Sequence, residues 1–247
     1  MKLRWLIALG VGAYLLFAIL TVPASVLLGG FGSAGLTAAG VDGTAWKGRA
    51  QMVQFQGVPI GSVEWDLHAL ALFALRLQAD VKVARTEGFA QSVLQLRPSG
   101  VLTIRDLTAS LPLAALANLA PKGWSGTVNL KFSELVLEEG WPSTATGTAD
   151  ILNIEGAGRS PISGSYRLTF PAPNAQPSED TLVGALTDLE GPLQVVGQLE
   201  LRRDRSYLLQ GLVAARPDAP PAFAKQLQIL GPPDQQGRRQ FSLEGTL

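Results

Sequence analysis

The chain has 247 residues, and its 20 lysine and arginine residues balance its 20 aspartate and glutamate residues, so the formal net charge is zero. Proteins that bind nucleic acids normally carry a clustered excess of basic residues, so we set that class aside. The chain has no cysteine, which excludes disulfides, cysteine-ligated metals and cysteine nucleophiles. Hydrophobic residues make up 47% of the chain, which is enough for one large β domain or two small ones.

The N-terminal region predicts a membrane anchor. Residues 5–28 contain no charged side chain, and Lys2 and Arg4 precede them directly. A helix that crosses a bilayer needs ~20 mostly apolar residues, and this run exceeds that length. Because the next charged residue is Asp42, the positive-inside rule leaves the N-terminus in the cytoplasm. The predicted layout is a cytoplasmic tip at residues 1–4, a transmembrane anchor at residues 5–28 and an exported domain at residues 29–247.

Pro23 lies late in this apolar run and predicts a kink or an end of the helix near Val22. The segment Val22-Pro23-Ala24-Ser25 also loosely resembles a signal-peptide cleavage site, so removal of the N-terminal segment remains an alternative. The apolar run continues to Leu28, beyond that site, which favours an anchor that stays attached. In both cases most of the chain is exported.

Beyond the anchor, the dominant pattern is an alternation of apolar and polar residues, which is typical of strands with one buried face. Glycine, proline, asparagine and aspartate punctuate the runs at short intervals, which favours antiparallel neighbours over strands separated by helices. The apolar positions of this alternation are Val63, Trp65, Leu67, Leu77, Ala79, Val81, Val83, Val128, Leu130, Phe132, Tyr166, Leu168, Phe170, Leu193, Val195, Leu199, Leu201, Phe241, Leu243 and Leu247. The predicted fold class is therefore mainly β.

Three segments break the alternation and are predicted to be short helices, namely residues 68–75, 111–119 and 221–230. After Ser133 the alternation changes phase, which indicates a β-bulge or the end of a strand. Residues 171–180 are the best candidate for a linker, so a soft boundary is predicted there.

The apolar face of such a sheet must be covered, and three arrangements would cover it. The sheet can pack on a second sheet, close into a barrel, or curl into an open groove or half-barrel that can hold acyl chains. Periodicity does not choose among them. We expect an N-terminal transmembrane helix followed by a large curved antiparallel β-sheet, with two or three short helices.

Candidate catalytic residues are few. His68 is the single histidine, and no set of partner residues accompanies it, so we interpret it as a polar residue where a strand leaves the sheet. Glu64 and Asp66 would share one strand face, as a catalytic pair of carboxylates could, but the clean alternation around them favours a solvated face. The sequence therefore predicts no catalytic activity, no metal site and no cofactor.

Short motifs rich in glycine and tryptophan follow one another along the chain. They are Gly43-Thr44-Ala45-Trp46-Lys47-Gly48, Gly61-Ser62-Val63-Glu64-Trp65-Asp66-Leu67, Glu139-Gly140-Trp141-Pro142, Gly191-Pro192-Leu193, Leu230-Gly231-Pro232-Pro233-Asp234, Gly237-Arg238 and Gly245-Thr246-Leu247. In order and spacing they resemble the type II secretion system protein N family, or general secretion pathway protein N. The resemblance implies a single-pass protein of the bacterial inner membrane, with a periplasmic β domain, in the machinery that exports folded proteins. It also implies relatives among AsmA-like envelope proteins, whose sheets curl into open grooves.

The resemblance carries no catalytic residues, so the candidate site residues are those of the motifs themselves. They are Gly43, Thr44, Trp46, Gly48, Gly61, Trp65, Trp141, Pro142, Gly191, Gly231, Gly237 and Gly245. Glycine within a strand pattern permits a bulge, a tight corner or the close approach of another backbone, which a strongly curved sheet requires.

Two functions remain open at this point. The first is an accessory component of the type II secretion machinery that binds other secretion components through its helix and its exposed sheet edges. The alternative is an AsmA-like groove that binds lipid or another hydrophobic molecule between the membranes. The expected partners are secretion components, the membrane through residues 5–28 and, in the alternative, lipid; nucleic acid is not among them.

Overall fold

The structure is a computed structural model that describes residues 2–30, 35–116, 123–156, 163–173, 175 and 180–246. The chain divides into two compact units, which we call the first unit (Met1–Gln95) and the second unit (Leu96–Leu247). Sequence patterns did not predict this division. The soft boundary predicted at residues 171–180 stays a prediction, and residues 174 and 176–179 of it lie outside the described ranges.

The first unit begins with two helices in place of the single helix predicted over residues 5–28. Helix α1 spans Lys2–Leu20 and α2 spans Ala24–Gly30, with Pro23 between them. Proline lacks the N–H group that would continue the helical hydrogen bonds, and it restricts the residue before it, so the helix ends near Val22 as predicted. Among the described residues, no helix combines the length and the apolarity that crossing a bilayer requires.

An antiparallel sheet follows, in which the strands of the first unit pair in chain order. Its strands are β1 (Leu36–Gly43), β2 (Lys47–Phe55), β3 (Val58–Leu67), β4 (Leu77–Arg85) and β5 (Gly88–Leu96). Between β3 and β4 the chain forms a 3₁₀ helix at Ala69–Ala74, which confirms the short helix predicted at residues 68–75.

The second unit is also built from antiparallel strands that pair in chain order. Its strands are β6 (Leu102–Pro112), β7 (Ser125–Glu138), β8 (Trp141–Glu155), β9 (Ser163–Phe170), β10 (Thr181–Glu190), β11 (Leu193–Arg202), β12 (Ser206–Ala215) and β13 (Arg239–Thr246). Helix α3 (Pro221–Leu227) and a 3₁₀ helix (Gln228–Leu230) precede β13, which confirms the helix predicted at residues 221–230. The mainly β, antiparallel fold class is therefore confirmed.

The helix predicted over residues 111–119 is wrong for its first two residues. Leu111 and Pro112 end strand β6, where they pair with Val128 and Thr127 of β7. Only Leu113–Leu116 forms a 3₁₀ helix, and residues 117–119 lie outside the described ranges. Pairing with a neighbouring strand therefore outweighs the helical preference of this leucine- and alanine-rich segment.

The change of phase after Ser133 is a β-bulge, one of its two predicted causes. Phe132 pairs with Gly147 of β8, whereas Glu134 pairs with Thr146, so Ser133 is the extra residue on β7. Because one strand carries an extra residue, the side chains beyond it change faces.

Apolar side chains of the second unit pack in small clusters on the sheet. One cluster contains Phe132, Ala145, Phe170 and Leu182, and another contains Leu193, Val195, Val213 and Leu227 of α3. The rings of Phe132 and Phe170 lie 6.3 Å apart. These clusters are buried, whereas Val196 and Leu243 of the same unit are each 57% exposed, so the apolar surface is only partly covered.

A partly buried ion pair in the second unit joins strand β10 to the residue that follows strand β12. The Arg216 guanidinium contacts the Asp188 carboxylate, of which only 9% of the side chain is exposed. The other carboxylate oxygen of Asp188 accepts a hydrogen bond from the Val195 amide at 2.7 Å. Burial, together with the negative charge of Asp188, raises the pKa of Tyr166 to about 12.

Candidate functional site

Most motif residues of the first unit meet where the N-terminal helices join the sheet. We call this region, residues 19–24, 43–48 and 65–67, the helix–sheet junction. In the turn between β1 and β2, the Thr44 amide donates to the Lys47 carbonyl at 2.9 Å, and the Lys47 amide donates to the Thr44 hydroxyl at 3.2 Å. Gly43 has a φ of +93°, and a Cβ there would lie 2.5 Å from the Lys47 carbonyl oxygen, so the turn requires glycine.

Trp46 holds the end of α1. Its indole N–H donates to the Ile19 carbonyl at 2.8 Å, and the neighbouring Ala45 amide donates to the Val22 carbonyl at 2.7 Å. The last carbonyl groups of a helix have no partner within the helix, so donors from the β1–β2 turn stabilise this end. Pro23 forms a β-bridge with Thr44, which attaches the segment between α1 and α2 to the sheet.

Trp65, on β3, contacts the same turn from the sheet. Its indole N–H donates to the Ala45 carbonyl at 3.1 Å. Gly48 pairs with Trp65 across β2 and β3, and a Cβ at residue 48 would lie 2.5 Å from the Trp65 ring. The absent side chain therefore leaves the space that the ring occupies. Leu67 completes the junction, because its amide donates to the Trp46 carbonyl.

Charged side chains form exposed pairs on the sheet beside the junction. Lys47 Nζ lies 2.8 Å from Asp66, and Arg49 lies 3.5 Å from Asp42. The hydrogen bond from Lys47 lowers the pKa of Asp66 below its ordinary value, and the same hydrogen bond raises the pKa of Lys47. Water screens both partners, so these pairs contribute little to stability.

His68 lies beside these pairs with both ring nitrogens engaged. Nε2 is 2.9 Å from the Asp80 carboxylate, and Nδ1 is 3.2 Å from the Gln78 side-chain nitrogen. A cleft of about 460 Å³ is lined by charges of both signs, including Glu64 and Asp66. The two carboxylates thus belong to an exposed face of mixed charge, as the alternation of the sequence predicts.

The remaining motif residues do not meet at one place. Gly61 lies on β3 opposite the Ala84 carbonyl, and Trp141 and Pro142 begin β8. Gly191 lies between β10 and β11, and Gly231 follows the 3₁₀ helix Gln228–Leu230. Gly237 lies in the turn before β13, and Gly245 lies on β13 against the Tyr207 ring. At Gly191 φ is +129°, and a Cβ would lie 2.7 Å from the Gly164 Cα, so two backbones touch there. These residues shape turns and close contacts of the sheet.

A second cleft, of about 380 Å³, lies beside Trp141 in the second unit. Arg203 forms an ion pair with Glu138 there, and Arg205 lines the same cleft. In the described part of the chain, the buried indole N–H of Trp141 has no hydrogen-bond partner. Sequence reasoning missed both arginines, because no local pattern relates the turn after β11 to the turn after β7.

Comparisons with known proteins confirm the family resemblance that the motifs indicate. The family model for type II secretion system (T2SS), protein N, matches residues 34–242. A type II secretion system protein N of Vibrio cholerae is 30% identical over 233 residues, which cover 86% of each chain. The protein of the same name from Aeromonas hydrophila is 26% identical over 215 residues, which cover 84% of this chain and 83% of the relative. No solved structure gave a significant match. The chain therefore belongs to the type II secretion system protein N family.

Proposed function

We propose that this protein is an accessory, non-catalytic component of the type II protein secretion machinery that acts by binding other secretion components. Its family membership supports the pathway. The observation that carries the mode of action is the outer edge of strand β13, with which no strand in the described ranges pairs and which offers backbone hydrogen-bonding groups to a partner.

The proposed location is the bacterial inner membrane, with the N-terminus in the cytoplasm and the β domain in the periplasm. Helix α1 exposes apolar side chains on all sides, among them Trp5, Ile7, Leu9, Val11, Tyr14 and Phe17. A helix that is apolar all round is normally covered by protein or by lipid. Residues 5–28 are therefore the proposed membrane anchor, and the helix–sheet junction joins this anchor to the sheet.

Strand addition at β13 is the proposed way in which a secretion component docks. β13 pairs with β12 from Val213 opposite Arg239 to Ser206 opposite Thr246, and no described strand pairs with its other edge. Leu243 of β13 is 57% exposed. By register it shares a face with Val213 of the core, so apolar surface continues to the edge. An edge strand with apolar surface is suited to pairing with an extended segment of another protein.

Replacing Leu243 by lysine should weaken capture of secretion components roughly tenfold, because a charge on an edge strand opposes strand addition. The measurement is co-purification of the full chain with the secretion machinery in mild detergent, together with the amount of exported substrate. Val196→Lys is the matched control, since Val196 is also 57% exposed but lies on the interior strand β11. Equal capture by the two variants would contradict docking at β13. Failure of the wild-type chain to retain any secretion component would contradict the proposed function itself.

A second candidate function is the binding of lipid or another hydrophobic molecule by the apolar face of the sheet. It is favoured by large apolar side chains that the sheet leaves exposed, among them Val196 and Leu243. The candidate depends on the AsmA-like likeness and on curvature of the sheet into an open groove or half-barrel, both of which stay predictions. Lipid retained by natively purified protein in mass spectrometry would support it. Lipid-free protein whose melting temperature does not change with added phospholipid would contradict it.

A further inference from the structure

An exposed apolar segment connects β3 and β4 in the first unit. We call residues 69–75 the apolar loop; it contains no charged residue. Leu70 is 81% exposed, Phe73 is 88% exposed and Leu75 is 75% exposed. Large apolar side chains that lie together and face solvent mark a surface that another apolar phase covers.

Backbone hydrogen bonds hold the loop in a compact shape. The Leu75 amide donates to the Leu72 carbonyl at 2.9 Å, and the Arg76 amide donates to the Ala71 carbonyl at 3.1 Å. At the base of the loop, the His68 amide donates to the Gln78 carbonyl at 2.9 Å. Backbone hydrogen bonds, and not the apolar side chains, therefore hold the turn. The side chains remain exposed to solvent.

The topology places this loop at the same end of the first unit as the N-terminal helices. Because the strands pair antiparallel in chain order, the β1–β2 turn and the β3–β4 connection lie at one end of the sheet. Hydrogen bonds join the two: the Leu67 amide donates to the Trp46 carbonyl, and the Trp46 indole donates to the Ile19 carbonyl of α1. The base of the loop and the end of α1 are thus linked through Trp46.

We propose that the apolar loop is a second membrane contact, which inserts Leu70, Phe73 and Leu75 into the lipid interface beside the N-terminal anchor. This inference rests on the proposed anchoring of α1 in a phospholipid bilayer. Segments of this kind bury apolar side chains ~5–10 Å into the boundary between headgroups and acyl chains. Arg76 follows the loop, is exposed, and supplies a cation for lipid phosphates. Two contacts would fix the orientation of the first unit on the membrane, whereas one helix would let it rotate.

The absence of cysteine makes the test direct, because each engineered cysteine is the single labelling site of the full chain. Phe73→Cys places an environment-sensitive fluorophore on the loop. Glu87→Cys places it in the β4–β5 turn at the other end of the sheet, as a matched control in the same unit. Val11→Cys places it on α1 and tests the anchor separately. The probe is a vesicle of phosphatidylethanolamine and phosphatidylglycerol that contains nitroxide-labelled lipid as a quencher.

We expect lipid to quench the label at residue 73 several-fold more than the label at residue 87. A label at residue 73 that is quenched no more than the one at residue 87 overturns the loop contact, while quenching at residue 11 still supports the anchor. Quenching at residue 73 without quenching at residue 11 supports the loop contact and overturns the anchor. A further variant, Leu70→Glu with a label at Leu75→Cys, should lose most of the quenching seen for Leu75→Cys alone; unchanged quenching would contradict apolar insertion.

Discussion

Replacing Phe170 by alanine should lower the free energy of unfolding by about 3–5 kcal/mol, the cost of truncating a buried phenylalanine. Phe170 ends β9, is buried, and packs against Phe132, whose ring centroid lies 6.3 Å away. Truncation removes these contacts and leaves a cavity in the main cluster of the second unit. Urea unfolding of the full chain in one detergent measures the loss.

Gly184 of β10 provides a specific control for this prediction. A Cβ at residue 184 would lie 2.5 Å from the Phe170 ring, and the three nearest atoms all belong to that ring. Gly184→Ala should therefore destabilise the wild-type protein. In the Phe170→Ala background it should be neutral or stabilising, because the methyl group enters the cavity that the ring vacates. Additive effects of the two substitutions would contradict the packing of the ring on the glycine.

The second large effect is expected at Arg216. Replacing it by methionine should cost about 3 kcal/mol of stability, because the Asp188 carboxylate would stay buried without its cation. This value is at the low end for a buried pair, since Arg216 itself is partly exposed. The melting temperature and urea unfolding of the same protein measure the change.

Asp188→Asn is the companion variant. Its side-chain oxygen can still accept the Val195 amide, so the double variant Asp188→Asn/Arg216→Met should recover part of the lost stability. Asp188→Asn should also bring the pKa of Tyr166 down only part of the way from about 12, because burial is the larger cause of its rise. A double variant as unstable as Arg216→Met alone would show that the unpaired charge is not the source of the loss.

Local patterns predicted the elements of this fold better than the contacts between them. Alternation around Trp65 predicted a strand, Pro23 predicted a helix end, and the change of phase after Ser133 predicted a bulge, because each depends on neighbouring residues only. Leu111 and Pro112 were assigned to a helix, since their strand partners on β7 are distant in sequence. Strand pairing overrides local preference at such positions.

At the helix–sheet junction, too, the motifs indicated the local backbone but not the distant contacts. The glycines of the motif around Trp46 indicated a bulge, a tight corner or a close backbone approach, and the positive φ of Gly43 shows a tight turn there. The hydrogen bond from Trp46 to Ile19 spans 27 positions in the sequence, so no local pattern could predict it. The exposure of Phe73 is equally invisible in sequence, because an apolar residue in an unalternated run reads as buried.

Pairing in chain order has a consequence for how the protein is made. Each strand within a unit pairs with the strand that precedes it in the sequence. The segments that connect paired strands are therefore short, and the entropic cost of closing them is small. A chain that emerges with its N-terminus first can therefore add one strand at a time. While a unit grows in this way, each newly added strand keeps one unpaired edge until the next strand pairs with it.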